Sequence, residues 1–149
     1  MKKLVLIDGH SILNRAFYGV PSLTNSVGLH TNAVFGFLNI MFKILDEEKA
    51  DYLAVAFDVN AKTFRHQKFE DYKGTRKGMP EELKEQVPLI KEVLKSMNIP
   101  IFEKEGFEAD DIIGTLAKRY QSEEIEVSIL SGDRDLLQLV DEHIKLRIP

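Results

Sequence analysis

Asp8, Asp58, Glu108, Asp110, Asp111, Asp133 and Asp135 are the residues of this sequence whose type and spacing are suited to chemistry. Asp8 follows the apolar run Leu4-Val5-Leu6-Ile7, Asp58 follows Tyr52 to Phe57, and Asp133 follows Ile125 to Leu130 with only Ser131-Gly132 between. Glu108, Asp110 and Asp111 open a helical pattern at Ala109, and Asp135 stands two residues past Asp133. Carboxylates gathered at one place raise each other's pKa, so such a group calls for cations among its members. Its ligands are hard oxygens without His or Cys, which matches magnesium or manganese. Singly, each acid also reads as a turn residue or helix cap, and Glu108 to Asp111 as a capping run. Convergence on one edge is harder to explain as separate caps than as one site.

A basic segment stands near the second acid. Lys62, Arg65, Lys68, Lys73, Arg76 and Lys77 have only Glu70 and Asp71 as acids among them. The net charge of −4 disfavours wholesale phosphate binding. Its distribution suits a site that holds metal with carboxylates and phosphate with a nearby basic segment, and equally an ordinary solvated loop. The stretch Asn60 to Met79 has no steady period, and a connection of that length is usually functional or mobile.

The elements that must position the acids alternate. The apolar runs at Leu4, Tyr52, Ile99 to Phe102 and Ile125 read as buried parallel strands, with Ile144 to Ile148 as a fifth. Asp8-Gly9 reads as the exit turn of the first. Helical patterns cover Ala33 to Leu45, Leu83 to Met97 and Ala109 to Tyr120. Pro80 fits the first turn of the second of these, and Pro88 inside it predicts a kink or break. The expected fold is α/β, a three-layer sandwich with a mostly parallel central sheet, formed by one domain over residues 1–149. Parallel strands bring Asp8, Asp58 and Asp133 to one edge, where ligands bind in open α/β sheets.

Several classes are excluded or disfavoured. Without cysteine there is no disulfide framework, thiolate zinc site or thiol nucleophile. The glycines form neither a GxGxxG pattern nor a P-loop. His10, His30, His66 and His143 lack ligand spacing and read as surface or packing residues. Apolar runs are too short for a membrane span, and no signal peptide precedes Asp8, so a cytoplasmic protein is expected.

On Leu4 to Gly9 with Arg15-Ala16-Phe17-Tyr18, Ala54 to Asp58, Phe64-Arg65, Tyr72-Lys73, Arg76, Gly106 to Asp111, and Ser131-Gly132-Asp133-Arg134-Asp135, the chain resembles the flap endonuclease family. The likeness is to the 5′-nuclease domain at the N-terminus of bacterial DNA polymerase I, and it runs along almost the whole chain. It implies a PIN-like 5′-nuclease core with a basic helical-arch insertion. It also implies hydrolysis of DNA phosphodiester bonds by two divalent ions, Mg²⁺ or Mn²⁺, that activate water and clamp the attacking and leaving oxygens. By the resemblance, Asp8, Asp58, Glu108 and Asp110 belong mainly to the first metal and Asp111 assists. Asp133 and Asp135 lie toward the second. Tyr72 and Lys73 belong to the arch, with Lys73 on the scissile phosphate and Arg76 aiding it. Arg15, Tyr18, Lys62, Arg65, Lys68 and Lys77 complete the expected DNA contacts. The implied partner is DNA with a 5′ flap, nick or free 5′ end, met by a monomer that is part of a longer polymerase chain.

The family's helix-hairpin DNA-binding segment and further aspartates lie downstream of these motifs, past Pro149. The piece is therefore expected to fold but to cleave poorly alone. Rival readings are a PIN-type ribonuclease, against which the basic insertion with Tyr72-Lys73 counts, and a non-catalytic nucleic-acid-binding module, against which the acids count. A phosphatase with Asp8 as nucleophile would want Asp-x-Asp where Asp8-Gly9-His10 stands.

Overall fold

The computed structural model describes residues 1–59 and 79–149. The expectations for Lys62, Arg65, Lys68, Tyr72, Lys73, Arg76 and Lys77 fall outside the described residues. In chain order the elements are β1 (Lys2–Asp8), α1 (Gly9–Gly19), α2 (Asn32–Glu48), β2 (Tyr52–Ala56), α3 (Glu81–Lys84), α4 (Gln86–Ser96), β3 (Ile101–Phe102), α5 (Ala109–Tyr120), β4 (Ile125–Leu130), a 3₁₀ turn (Arg134–Leu139) and β5 (Ile144–Arg147). The five strands form one sheet in the order β3-β2-β1-β4-β5, and every described pairing is parallel.

The central parts of the strands are apolar because both faces of the sheet are covered. Val5, Ile7, Val55, Phe57 and Leu130 pack toward α1, α2 and α4. Leu6, Ala54, Ala56, Val127 and Ile129 form a second cluster with Ile113 and Ala117 of α5. This is the expected three-layer sandwich.

Local departures have local causes. Where an exit turn was expected after Asp8, α1 begins at once. A Cβ at Gly9 would run into the Phe57 ring, so glycine lets the helix start directly beneath β2. The pattern Leu83 to Met97 is broken into α3 and α4 at Glu85. Pro88 lacks the N–H that would have bonded back to Lys84, which accounts for the break. Pro80 stands one residue ahead of the first turn, at the N-cap. The third strand is shorter than Ile99 to Phe102. Pro100 has no N–H to give the ladder, although its carbonyl accepts from Val55 N at 3.0 Å. The fifth strand stops at Arg147 rather than Ile148.

The start of α2 is satisfied from a distance. Gln86, fully buried, accepts from the N–H groups of Ala33 and Val34 at 2.8 and 3.1 Å and donates to Asn32 Oδ1 at 3.0 Å. That bond set ties α4 to the N-terminus of α2, whose exposed amides would otherwise lack partners.

The sheet is built outward from β1 to β3, and the chain then crosses to place β4 on the other side of β1. The switch point thus lies between β1 and β4, with α5 on the opposite face from α1 and α2. Asp8 is level with Ala56 across one ladder, and Ile7 with Leu130 across the other. The exits of β1, β2 and β4 therefore open onto one edge.

Candidate metal centre

Asp8 is the last residue of β1 and is only 5% exposed. The Ser131 hydroxyl donates to its Oδ2 at 2.8 Å, and the same Ser131 oxygen accepts from Asp133 N at 3.0 Å. One serine at the exit of β4 thereby joins the carboxylate of β1 to the backbone leading into the 3₁₀ turn. Burial pushes Asp8 up to about 6 from an ordinary 3.8; the Ser131 bond opposes this, while the charges of Asp58 and Asp133 add to it.

Asp58 is half-buried at the exit of β2. Its Oδ1 accepts from Ala109 N, the first residue of α5, at 2.6 Å. The start of α5 is thus pinned to the β2 exit, which delivers Asp110 beside the other acids. Burial comes first in pushing Asp110 up to about 8, followed by a side-chain hydrogen bond with Asp133 and the charges of Asp8, Asp133 and Asp58. Near neutral pH and without a cation, Asp110 keeps its proton, hydrogen-bonded toward Asp133. Asp8, Asp58, Asp110 and Asp133, from four different segments, form one interacting group.

The remaining three acids are placed differently. Glu108 and Asp111 make a reciprocal capping box at the start of α5, with Glu108 N donating to Asp111 Oδ2 at 3.2 Å. Asp135 is exposed, and its N–H donates to Asp133 Oδ1 at 2.9 Å, so Asp133 serves as the cap of the 3₁₀ turn as well. Asp110, Asp111 and Asp135 share the wall of a cleft of about 1010 Å³ with Phe107, Thr115 and Lys118. Asp110 belongs to both groupings. Capping and metal ligation are therefore not exclusive readings here.

Among the described residues no group of three or more His, Asp or Glu side chains is placed so that it could hold a metal ion. By donor type, though not by placement, the acids suit a hard divalent cation. Their oxygens are hard ligands, and burial together with the neighbouring acids keeps Asp8 and Asp110 from ionising readily, a penalty that a cation among them would relieve.

Arg15 and Tyr18 lie exposed on α1, Tyr18 edge-on to Phe17 at 5.0 Å, and neither is among the groups that act on Asp8 or Asp110. The sequence reading missed three polar neighbours. Ser131 clamps Asp8, and the Ser11 hydroxyl accepts from Gly132 N at 2.8 Å. His10, expected as a surface or packing residue, does pack on Phe57, but its Nδ1 also accepts from Asp58 N at 3.2 Å. Burial lowers its pKa, as the nearby Lys91 does, against the raising effect of Asp58 and Glu103. Ser131 had a signal in its place beside Gly132-Asp133; His10 and Ser11 had none beyond following Asp8.

Comparison with known proteins gives a consistent picture. The family described as 5′-3′ exonuclease, N-terminal resolvase-like domain, matches residues 3–148. The chain is 53% identical over 147 residues to DNA polymerase I of Bacillus caldotenax, covering 99% of this chain and 17% of that protein. It is 45% identical over 144 residues to the 5′-3′ exonuclease of Aquifex aeolicus, covering 97% of this chain and 50% of that protein. It therefore spans half or less of these relatives. A solved structure of T5 5′-exonuclease with divalent metal ions (zinc) bound superposes with a TM-score of 0.69 at 20% identity, over 99% of this chain and 55% of that one, which is a likeness of fold. With the match running from one end of the sheet to the other, the chain belongs to the family of 5′-3′ exonuclease N-terminal, resolvase-like domains.

Proposed function

We propose that residues 1–149 are the catalytic core of a nuclease that hydrolyses DNA phosphodiester bonds near 5′ ends, as a 5′-3′ exonuclease and 5′-flap endonuclease. The core serves as the N-terminal part of a cytoplasmic DNA polymerase I acting in replication and repair. The observation that carries this reading is the gathering of Asp8, Asp58, Asp110 and Asp133 from four segments at the sheet's switch point. Asp8 and Asp110 are there held far above the ordinary carboxylate range. Family membership and the names of the relatives supply the substrate class.

In this mechanism Asp8, Asp58, Asp110 and Asp133 are the main holders of Mg²⁺ or Mn²⁺, with Glu108, Asp111 and Asp135 completing the set from the α5 start and the cleft. Bound there, a divalent ion supplies Lewis acidity and a water of lowered pKa. The protein's own part is positional. Ser131 orients Asp8 through its hydroxyl, and Ala109 N orients Asp58 through Oδ1. Asp110, which holds a proton near neutral pH, would give it up where a cation took its place. From the family resemblance, Lys73 with Tyr72 and Arg76 acts on the scissile phosphate. Arg15, Tyr18, Lys62, Arg65, Lys68 and Lys77 contact the DNA.

The test uses the protein extended through the rest of its nuclease region, a 5′-labelled flap duplex and Mg²⁺ at low salt. Single-turnover cleavage is expected to stop with EDTA and to fall at least about a hundredfold in Asp110→Asn, the size of a lost electrostatic contribution to the transition state. Lys73→Ala should lower the same rate about tenfold or more while DNA affinity changes much less. Normal cleavage by Asp110→Asn would refute the reading.

A further inference from the structure

We infer that His10 is a positioning residue of the metal centre, holding Asp58 in place through the Asp58 backbone rather than touching metal or substrate. The inference rests on the carboxylates being that centre. Asp58 N lies 3.2 Å from His10 Nδ1. A backbone amide has only a proton to give, so Nδ1 must be the accepting nitrogen, and the ring carries its proton on Nε2. A neutral ring of this tautomer cannot donate through Nδ1 to Asp58 Oδ2, which stands 3.6 Å away.

The ring is fixed from behind. It meets Phe57 edge to face, with centroids 5.4 Å apart and planes at 85°. Lys91 Nζ stands 5.1 Å from the Phe57 centroid and is paired with Glu103 at 2.8 Å. Phe57 in turn is fully buried and is the residue that Gly9 accommodates. His10 therefore has little freedom to release the amide it holds.

The consequence for Asp58 follows from its two anchors. His10 holds its backbone N–H, and Ala109 N holds its Oδ1 at 2.6 Å. Oδ2 is the carboxylate oxygen to which no backbone N–H of the described residues is directed. Because His10 lies two residues after Asp8 on the same helix start, α1 sets both the carboxylate from β1 and the anchor for the one from β2. Partners of this kind, one step removed from the metal, commonly change affinity 10- to 100-fold when lost.

The test compares three substitutions in the purified protein by Mn²⁺ titration calorimetry, with thermal melts in EDTA. His10→Leu fills the ring's space without an acceptor. His10→Asn places an amide oxygen about where Nδ1 stood, and His10→Gln reaches instead toward the Nε2 position. Leu and Gln should weaken Mn²⁺ binding about tenfold or more, and Asn should stay within about threefold of the parent. A packing role alone would give no such split between Asn and Gln, and if the Leu variant failed to fold that pair would still decide. Side-chain ¹⁵N spectra at neutral pH should show His10 Nδ1 unprotonated and Nε2 protonated. Equal Mn²⁺ affinity in parent, Asn and Gln proteins, or a proton on Nδ1, would overturn the inference alone. A parent protein that binds no Mn²⁺ would instead overturn the metal centre, and the positioning role with it.

Discussion

Asp8 and Glu48 are both carboxylates drawn into the fold, Asp8 buried and Glu48 half-buried, yet their surroundings act on them in opposite directions. Burial alone would raise both. Glu48, at the end of α2, receives the Ser128 hydroxyl and faces Lys145 at 3.0 Å, Arg147 at 3.1 Å and Lys3 at 3.6 Å. The Ser128 bond and the cations overcome burial and bring it down to about 2. Asp8 also receives a serine hydroxyl, but its charged neighbours are acids, and it rises to about 6. The lesson is that one group is complete and the other is not. The Glu48 network, which also joins Glu126 and Glu47, clamps α2 to β1, β4 and β5, as a structural ion network does. Among the described residues no cation acts on the acid group at the strand exits, and carboxylates perturbed together in this way are common at functional sites.

The largest effects expected from this contrast are opposite in sign. Glu48→Gln should destabilise the protein by about 2 kcal/mol at neutral pH, since the half-buried Lys3, Lys145 and Arg147 lose a charged partner and keep only Glu126 or Glu47. Asp8→Asn should stabilise the metal-free protein at pH 8 by up to about 3 kcal/mol, the equivalent of a carboxyl shift of about two units. Urea unfolding in EDTA measures both. A loss of stability in both variants would break the comparison.

The pH profile sharpens it. Asp8 and Asp110 are raised, so their contribution to stability is full below about pH 4 and is lost as pH rises through about 6 and about 8. Glu48 is lowered, so its contribution is present above about pH 4.5 and is lost as pH falls through about 2. The metal-free melting temperature should therefore peak in mildly acidic buffer and decline on both sides. Mn²⁺ should lift the alkaline side and leave the acid side unchanged; a uniform lift would place the ion elsewhere.

Smaller effects are expected at the serine. Ser131→Ala removes the donor to Asp8 and the acceptor for Asp133 N, and should weaken Mn²⁺ about tenfold with a stability loss of about 1 to 2 kcal/mol. Tyr18→Ala should be smallest, within about 0.5 kcal/mol in stability because Tyr18 is 69% exposed. If Tyr18 stacks on a base, DNA affinity would still fall by about 1 kcal/mol or more.

How much of this was readable from sequence depended on the kind of signal. Apolar runs ending in aspartate placed Asp8, Asp58 and Asp133 at one edge, because a parallel sheet leaves no other arrangement for those exits. The helical stripe at Ala109 to Tyr120 placed Asp110. What could not be read was the partnership between acids. Glu108 and Asp111 cap the helix start, as their spacing of three residues allows, but the hydrogen bond between Asp110 and Asp133, 23 residues apart, does not follow from spacing. The helix α1 was hidden because it starts without a turn, which only the Phe57 ring against Gly9 explains. His10 resembled a packing histidine, and it is one, but its ring edge also serves a backbone amide 48 residues away.

The most direct test of the central claim is Mn²⁺ titration calorimetry near neutral pH in buffers of differing ionisation enthalpy. Binding should release about one proton, the one held on Asp110, with the release fading above pH 9 as Asp110 ionises unaided. Both Asp8→Asn and Asp110→Asn should bind more weakly, and Asp110→Asn should release less. Binding without proton release, or affinities unchanged in both variants, would contradict an acid group built to be completed by a cation.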